Sequence, residues 1–431
     1  VLFGPSSVVY GSDALGGVMS FQTLNPCFST DNFKLISGNY TTRVASANKE
    51  TSNHVDFNLG SKNFALLTSV TYTDYNSVTM GENGPDEYLN NGFSTVVGEK
   101  DAVAIPKNSK IQNPTGYNQL NLMQKFAYKF HDSLLLTFSS HYSETSNIPR
   151  YDRLSQEGNS PGELKYAEWY YGPQLWTMQQ LSLDYKNKNR FFDQMKLNLA
   201  YQLFEESRIS RRFDSSIKSV NEEKVDAYSL NLDFLKDLKS NSSFSYGIEG
   251  VFNKVGSSSH NFDNKTKIDV KSVSRYPKTK WKSIAAYTTY QKRLSKRISI
   301  HAGVRLNHIE LFSVFDTSLF PFPFEKARIK EQAVTGNAGF VFKPTKKLSF
   351  NFVFSTGFRA PNADDVGKVF DSEPGSVTIP NNSLKPEFAY NFETGIVKQV
   401  NQKCRLELSV YYTLLENAMV RRNYKLNGQD S

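Results

Sequence analysis

Six side chains between residues 150 and 171 are the ones in this sequence best suited to hold a ligand. They are Arg150, Tyr151, Arg153, Trp169, Tyr170 and Tyr171. Guanidinium groups attract anions and aromatic rings offer flat faces, so together they suit an anionic, flat-faced ligand such as a metal chelate. The competing interpretation is an aromatic belt at a membrane interface, with ion pairs between loops.

The sequence offers no catalytic motif. Its six histidines have no metal-ligand spacing, and its acidic residues form no recognisable catalytic pair. Residues 46–49 and 215–218 match Ser-x-x-Lys, but the motifs that accompany it in serine enzymes are absent. We therefore expect no enzyme activity, no catalytic residue, no metal site and no cofactor.

Composition argues against membrane helices but is compatible with a membrane barrel. Mean hydropathy is −0.49, and no stretch approaches the roughly 18–20 apolar residues of a membrane helix. A transmembrane barrel needs only alternating apolarity, and aromatic residues, 13% of this chain, form its girdles. The net charge of +9 is scattered, so we expect no nucleic-acid partner. Cys27 and Cys404 lie too far apart in sequence to indicate a disulfide framework.

The elements that must position these side chains are β-strands. Residues 348–355 show the clearest alternation, with apolar residues on one face and mostly polar residues on the other. The apolar set is Leu348, Phe350, Phe352 and Phe354, and the other set is Ser349, Asn351, Val353 and Ser355. About fifteen such strands are predicted, at 31–45, 50–60, 63–75, 118–130, 133–145, 174–187, 192–206, 222–236, 242–256, 279–293, 298–313, 330–343, 347–357, 387–400 and 403–416. The alternation alone does not decide whether the polar face points inward, as in a membrane barrel, or outward, as in a soluble sandwich.

The connections alternate between short and long. Short turns are predicted near residues 61, 131, 188, 239, 295, 345 and 401, and long loops at 76–117, 147–173, 207–221, 257–278, 314–329 and 358–386. Short turns at one end and long loops at the other are typical of an outer-membrane barrel. Plugged transporters have about 22 strands, so roughly seven would follow residue 431.

The first 23 residues carry the most specific pattern. Its constrained positions are Gly4, Pro5, Tyr10, Gly11, Gly16 and Gly17. They resemble the end of the plug domain of TonB-dependent outer-membrane receptors, with its Gly-Pro, Tyr-Gly-Ser-x-Ala-x-Gly-Gly-Val and short strand leading to the barrel. The resemblance implies that the polar strand faces point inward.

A second resemblance to the same family lies near the carboxyl end. Its residues are Phe358, Arg359, Pro361, Leu384, Pro386 and Glu387, in segments similar to the family's Gly-Phe-Arg-Ala-Pro and Leu-Lys-Pro-Glu. One interpretation is that this loop closes over the ligand, with Arg359 as a positioned cation. The other is that the motif packs the strand ends against the plug.

The resemblance implies a ligand class without naming the ligand. The stretch that includes Arg150 and Arg153 resembles the Pro-Arg-Tyr-Asp-Arg-Leu loop of these receptors, which favours a ferric siderophore or another iron chelate. Haem receptors of the family carry a histidine between the two carboxyl-terminal motifs, and none lies between Arg359 and Leu384. Haem uptake stays an alternative on the same fold, as does a non-transporting barrel such as an adhesin or an enzyme.

The sequence thus predicts an all-β, antiparallel meander barrel in the outer membrane of a Gram-negative bacterium. We expect residues 1–26 to be the end of the plug and residues 27–431 to be a partial barrel, with residues 4–23 inside the curl near its short-turn end. Because the chain opens inside a motif and ends in a loop-like segment, we expect a fragment. The expected partners are outer-membrane lipid and the TonB energising complex, which would engage a box missing from this sequence.

Overall fold

The computed structural model describes residues 2–3, 7–31, 33–98, 100–160, 162–239, 241–319, 325–367, 381, 384–420, 425–426 and 429–430. Within these residues it contains fifteen strands of at least eleven residues, the number that the alternation predicts. They are β1 (Leu35–Ala45), β2 (Glu50–Gly60), β3 (Phe64–Tyr75), β4 (Tyr117–His131), β5 (Leu134–Thr145), β6 (Leu175–Lys186), β7 (Gln194–Arg212), β8 (Ile217–Leu238), β9 (Ser242–Asp263), β10 (Lys278–Arg293), β11 (Ile298–Val314), β12 (Lys326–Thr345), β13 (Leu348–Arg359), β14 (Glu387–Gln399) and β15 (Arg405–Glu416).

The remaining described elements are short. The helices are α1 (Ser7–Tyr10), α2 (Tyr151–Leu154) and α3 (Ala363–Gly367), with one 3₁₀ turn at Asp86–Tyr88. The short strands are Leu2–Phe3, Gly17–Val18, Val78–Thr79, Phe93–Val97, Lys100–Ala104, Ile111–Gln112, Ile148–Pro149, Tyr166–Tyr171, Asp269–Lys271, Lys425–Leu426 and Gln429–Asp430. In the described part of the chain, no helix is long and apolar enough to cross a membrane.

The long strands form one antiparallel meander ordered round a barrel. Each strand pairs with the next along the chain, from β1 with β2 to β14 with β15. The strand order places β15 beside β1, and the side chains on both faces of β15 are exposed. The wall therefore curls round an interior, and its first and last strands lie next to each other.

The polar faces point inward. Val304 and Leu306 on β11 are 42% and 56% exposed, whereas Arg305 between them is 1% exposed. The amino-terminal segment lies against the face of β11 that carries Gly303 and Arg305, since a Cβ on Gly303 would lie 2.9 Å from Cγ1 of Val8. On β13, the exposed Phe352 belongs to the outward set, as the alternation predicts. The interior face is thus the polar one, and the sandwich interpretation is wrong.

The outward apolar band ends sharply on β8. Tyr228 and Leu230 are exposed there, and the Tyr228 ring lies 4.9 Å from that of Tyr201 in an outer aromatic girdle. The next outward positions toward the long loops are charged, with Lys224 pairing with Glu205 at 2.6 Å. Because charged outward side chains avoid hydrocarbon, the membrane-spanning part of β8 begins at about Tyr228.

Long strands extend into three of the predicted long loops. The 207–221 segment is almost wholly β7 and β8, which pair up to Arg211 and Lys218. Strands β9, β11 and β12 likewise run into the segments predicted as loops at 257–278 and 314–329. Beyond the membrane both faces of a hairpin meet water or protein, so the apolar alternation that marks a strand in sequence is lost there.

Candidate ligand-binding site

The amino-terminal segment is bonded to the loop end of β13. The backbone N–H of Phe358 donates to Oγ of Ser7 at 3.2 Å, and the carbonyl of Phe358 accepts from the N–H of Asp13 at 2.9 Å. The N–H of Ala360 donates to Oγ of Ser12 at 3.0 Å. Residues 7–13 therefore dock on the barrel wall through backbone groups that a strand would normally give to its neighbour.

Those backbone groups are available because β13 leaves β12 early. The ladder between the two strands ends at the Asn337–Ser355 pair. Next along the chain, the hydroxyl of Thr356 accepts from the N–H of Gly336 at 2.7 Å and donates to its carbonyl at 3.2 Å. A side chain thus replaces the partner strand, and the Phe358 segment turns to the amino-terminal segment.

The second motif forms an apolar core inside the upper barrel. Phe358 is fully buried with Ile309, Ala333 and Ala360, and Pro361 is also fully buried. An adjoining cluster holds the residues Leu311, Phe315, Ala327, Ile329 and Val366, with Leu384 packed against it. The motif therefore packs the loop after β13 into the interior.

Arg359 is neutralised by three carboxylates rather than open to a ligand. Its Nη2 lies 2.7 Å from Oδ1 of Asp365, and its Nη1 lies 3.3 Å from Oε2 of Glu387. Its Nε lies 3.8 Å from Oδ1 of Asp13 on the amino-terminal segment. Glu387 also accepts from the N–H of Met419 at 2.6 Å, and the carbonyl of Pro386 accepts from Nδ2 of Asn417 at 3.5 Å. Arg359 thus ties together four chain segments.

The amino-terminal segment sits higher in the barrel than the sequence suggested. Residues 7–13 contact the middle and the long-loop end of β11 and β13, so the expected place near the short turns is wrong for them. Gly11 has φ of +77°, and a Cβ there would lie 3.0 Å from Nη2 of Arg305. Tyr10 and Gly16 are exposed, Gly17 pairs with Phe3, and Gly4 and Pro5 lie outside the described residues.

The structure brings three of the predicted aromatic and basic side chains, Arg150, Trp169 and Tyr171, into one group. The guanidinium of Arg150 lies 4.9 Å from the ring centroid of Trp169 and 5.2 Å from that of Tyr171. Arg208 covers Tyr171 at 5.2 Å, so two arginines flank one ring. Arg150 is also held by Asp152, with Nε 2.6 Å from Oδ1, and it donates to the Tyr171 hydroxyl.

Strand alternation separates Tyr170 from this stack. Glu168 lies on the same face of the Tyr166–Tyr171 strand as Tyr170, opposite the face with Trp169. Glu168 pairs there with Arg211 and Lys218, at 2.7 and 2.6 Å. Arg153 lies 3.8 Å from Oδ2 of Asp152 and shares that carboxylate with Arg150. Tyr151 begins α2 and lines a different pocket, together with Tyr88 of the 76–117 loop. Of the six candidates, only Arg150, Trp169 and Tyr171 form one continuous surface.

A cavity of about 390 Å³ lies on the same inner wall. It is bounded by β7, β8, β9 and β10 on the wall, and by Asp13 and residues 360–364 on the facing side. Its acidic lining residues include Glu206 and Glu223, which are direct partners in the β7–β8 register. A larger groove of about 700 Å³ is lined by outward apolar residues such as Leu199 and Leu230, which places it against lipid.

A family model for the β-barrel of TonB-dependent receptor-like proteins matches residues 125–426. The chain belongs to the TonB-dependent receptor family. The receptor is similar in fold to the copper transporter OprC, with 11% identity, a TM-score of 0.74, and 96% of this chain and 58% of that chain covered. No curated protein sequence matches it.

Two further solved structures share the receptor's fold. The ferric yersiniabactin uptake receptor FyuA from Yersinia pestis is 17% identical, with a TM-score of 0.64, and 96% of this chain and 59% of that chain are covered. The Serratia marcescens hemophore receptor HasR, in complex with its hemophore HasA and heme, is 12% identical, with a TM-score of 0.65 and coverage of 95% and 59%. The chain spans about three fifths of the length of these proteins.

The receptor's inner-wall residues Arg208, Glu206 and Glu223 were not among the predicted site residues. Residues 204–208 and 221–225 each carry charged residues within a strand, and correct pairing of the two strands would have placed Glu206 opposite Glu223. The missing information was the register. Glu206 and Glu223 lie at the ends of the predicted strands 192–206 and 222–236, whereas Arg208 lies in the segment predicted as a loop. In the part of the receptor that the structure describes, no cluster of histidine, cysteine and acidic residues could hold a metal ion, and both cysteines are free.

The hairpin Phe93–Ala104 is fastened to the receptor wall by one carboxylate, and this carries a prediction. Both oxygens of Asp101 accept from Arg211, at 2.6 and 2.8 Å, which lowers the pKa of Asp101. We expect Asp101→Asn to weaken docking by about 1.5–3 kcal/mol, as loss of charge-assisted bonds does. Limited proteolysis of whole cells should then cut the hairpin several-fold faster.

The pH response of that docking follows from the direction of the shift. Because the pKa of Asp101 is lowered in the docked hairpin, its carboxylate stabilises docking at any pH above the pKa of the undocked residue. This stabilisation is lost as the pH falls through the lowered pKa of the docked state. Asp86→Asn, an exposed change in the same loop, is the control and should leave cleavage unchanged. Equal cleavage rates in both variants would show that Asp101 does not hold the hairpin.

Proposed function

We propose that this chain is the last plug segment and part of the barrel of an outer-membrane receptor, which takes up a scarce, bulky ligand using energy from the TonB complex. Residues 1–26 would be the plug segment and residues 27–431 the partial barrel. The supporting observation is that residues 7–13 bond to the inner wall at Phe358 and Ala360. A plug seated inside a barrel blocks free diffusion, so movement of the plug must admit the ligand.

For the ligand we propose a ferric siderophore or another iron chelate. Arg150 and Arg208 flank Tyr171, and Trp169 lies edge-on to that ring at 5.2 Å. Cations beside stacking rings suit an anionic, flat-faced chelate. Because Asp152 already pairs with Arg150, the ligand must compete with that carboxylate or add to its network. Outer-membrane lipid is the other proposed partner, and transport rather than catalysis is the proposed activity.

The contribution of the two arginines can be measured by uptake. In a receptor deletion strain, we expect the variant R150A/R208A to take up radiolabelled ferric siderophore with an affinity at least tenfold lower. Each charge-assisted contact contributes about 1.5–3 kcal/mol, and 1.4 kcal/mol is a factor of ten. Charge steering predicts that wild-type capture also slows with added salt.

Two variants serve as controls for this experiment. R150K/R208K keeps both charges but loses the planar group, so it should recover the salt dependence without the full affinity. Arg405→Ala, exposed at the short-turn end, should be silent. Growth on haem with no siderophore uptake would instead establish the haem alternative, and normal outer-membrane assembly with no iron-source phenotype would favour a non-transporting barrel.

A further inference from the structure

We propose that the 390 Å³ cavity beside the amino-terminal segment binds an organic ammonium group, with Glu223 as its counter-ion. The inference rests on the proposed function in one respect, namely that ligands enter the barrel lumen from the loop end. This cavity requires a cationic group, whereas Arg150 and Arg208 on either side of Tyr171 favour an anionic one. A ligand that used both surfaces would carry an anionic face and a separate amine.

Glu223 is a buried carboxylate without a partner. The residue is 7% exposed, and neither carboxylate oxygen has a hydrogen-bond partner. Removing a charge from water without a partner is costly, and a native protein usually supplies one. Glu223 lines the 390 Å³ cavity, so a cation has room to bind beside its carboxylate.

The opposing carboxylate makes a cation the appropriate partner. Glu206 lies directly across the β7–β8 pair, and like charges so placed repel. Glu206 has its own donors, since Oε1 lies 2.9 Å from Nη2 of Arg208 and Oε2 lies 3.1 Å from Nε2 of Gln174. Arg208 uses Nη2 for Glu206, and its Nε, although without a partner, makes no hydrogen bond to Glu223. The carboxylate of Glu223 is therefore open to a cation from outside the chain.

The remaining lining favours an organic cation over a hydrated metal ion. Phe204, Tyr276 and Trp281 line the same cavity, and aromatic faces attract weakly hydrated ammonium groups. The hydroxyl of Tyr276 donates to Oδ1 of Asp364 at 3.0 Å, which fixes the ring at the cavity edge. Hard divalent metal ions instead require about six oxygen ligands, which aromatic walls do not provide.

The protonation of Glu223 should control binding. Glu223 lies level with Lys224, outside the membrane-spanning part of β8. Burial, with smaller contributions from Glu206 and Glu222, raises the pKa of Glu223 to about 7 against the opposing effect of Arg208. The groups facing it across the cavity are Asp13 on the amino-terminal segment, Asp364 on α3 and Tyr276. An ammonium ligand should therefore bind above pH 7 and be lost as Glu223 takes up a proton.

The test uses the receptor in detergent micelles with phenethylammonium as the probe, measured by calorimetry. We expect binding at pH 8 that is at least tenfold weaker at pH 5.5, and we expect Glu223→Gln to lower the pH 8 affinity tenfold and remove the pH dependence. Glu222→Gln, which changes the outward neighbour that accepts from Ser258, is the matched control and should bind as wild type.

The outcomes separate this site from the proposed function. Wild-type affinity in Glu223→Gln, or equal losses in both variants, would overturn the ammonium site even if siderophore uptake holds. Binding that depends on Glu223 but accompanies no uptake of any iron chelate would sustain the site and refute the proposed ligand. Assembly is checked by heat-modifiable migration, and glutamine matches glutamate in size, so misfolding is distinguishable from lost binding.

Discussion

Replacing Arg359 by alanine is expected to release both the amino-terminal segment and the loop after β13 from the barrel wall. The substitution leaves Asp13, Asp365 and Glu387 without their shared cation. Asp365 and Glu387 are largely buried, so leaving them unpaired costs about 2–5 kcal/mol, whereas Asp13 is 65% exposed and adds little. Cysteine accessibility of a Ser12→Cys reporter, labelled in whole cells, should rise at least tenfold.

The control for Arg359 is an arginine with an equally short but exposed pair. Arg328 bonds to Glu310, and its side chain is 56% exposed. Exposed pairs contribute little, so Arg328→Ala should leave the reporter protected. Arg359→Lys should restore only part of the protection, since one ammonium nitrogen cannot replace Nη2, which bonds to Asp365, and Nη1, which bonds to Glu387. Full protection in Arg359→Ala would mean that the backbone bonds at Phe358 hold the segment alone.

Arg305→Ala is expected to destabilise the barrel itself. Arg305 is 1% exposed, pairs with Glu249, and donates from Nε to Oδ1 of Asn307 at 2.9 Å. Its guanidinium also lies 5.4 Å from the Tyr287 ring centroid. Breaking a buried pair costs about 3–5 kcal/mol because the partner charge stays buried. The midpoint of guanidinium unfolding in micelles, followed by tryptophan fluorescence, should fall accordingly.

A paired replacement distinguishes the lost charge pair from lost packing. Removing both charges in R305L/E249L should recover most of the stability, since an apolar pair carries no desolvation penalty. Lys224→Ala, which breaks the exposed pair with Glu205, should barely move the midpoint. If R305L/E249L were as unstable as Arg305→Ala, the effect would come from volume and not from charge.

The sequence determined the wall of this barrel. Alternation predicted about fifteen strands and put Phe352 and Asn351 on opposite faces, because side-chain direction in a strand follows directly from position. The resemblance of the first 23 residues to a plug then implied that the face with Asn351 points inward. The motifs at Gly11 and Phe358 indicated the family that the residue 125–426 match then established. The alternation failed only above the membrane, where β7 and β8 continue with charged residues on both faces.

The tertiary structure decided what the charges do. Arg359 looked like a free cation because Asp13 and Glu387 are remote in sequence and reach it only when the wall curls round the amino-terminal segment. Asp365, six residues further along, reaches it through the fold of the loop after β13. Alternation of a short strand removed Tyr170 from the stack that Trp169 and Tyr171 form with Arg150. The unpaired state of Glu223 depends on register and burial together, and neither is a property of the residues near it in sequence.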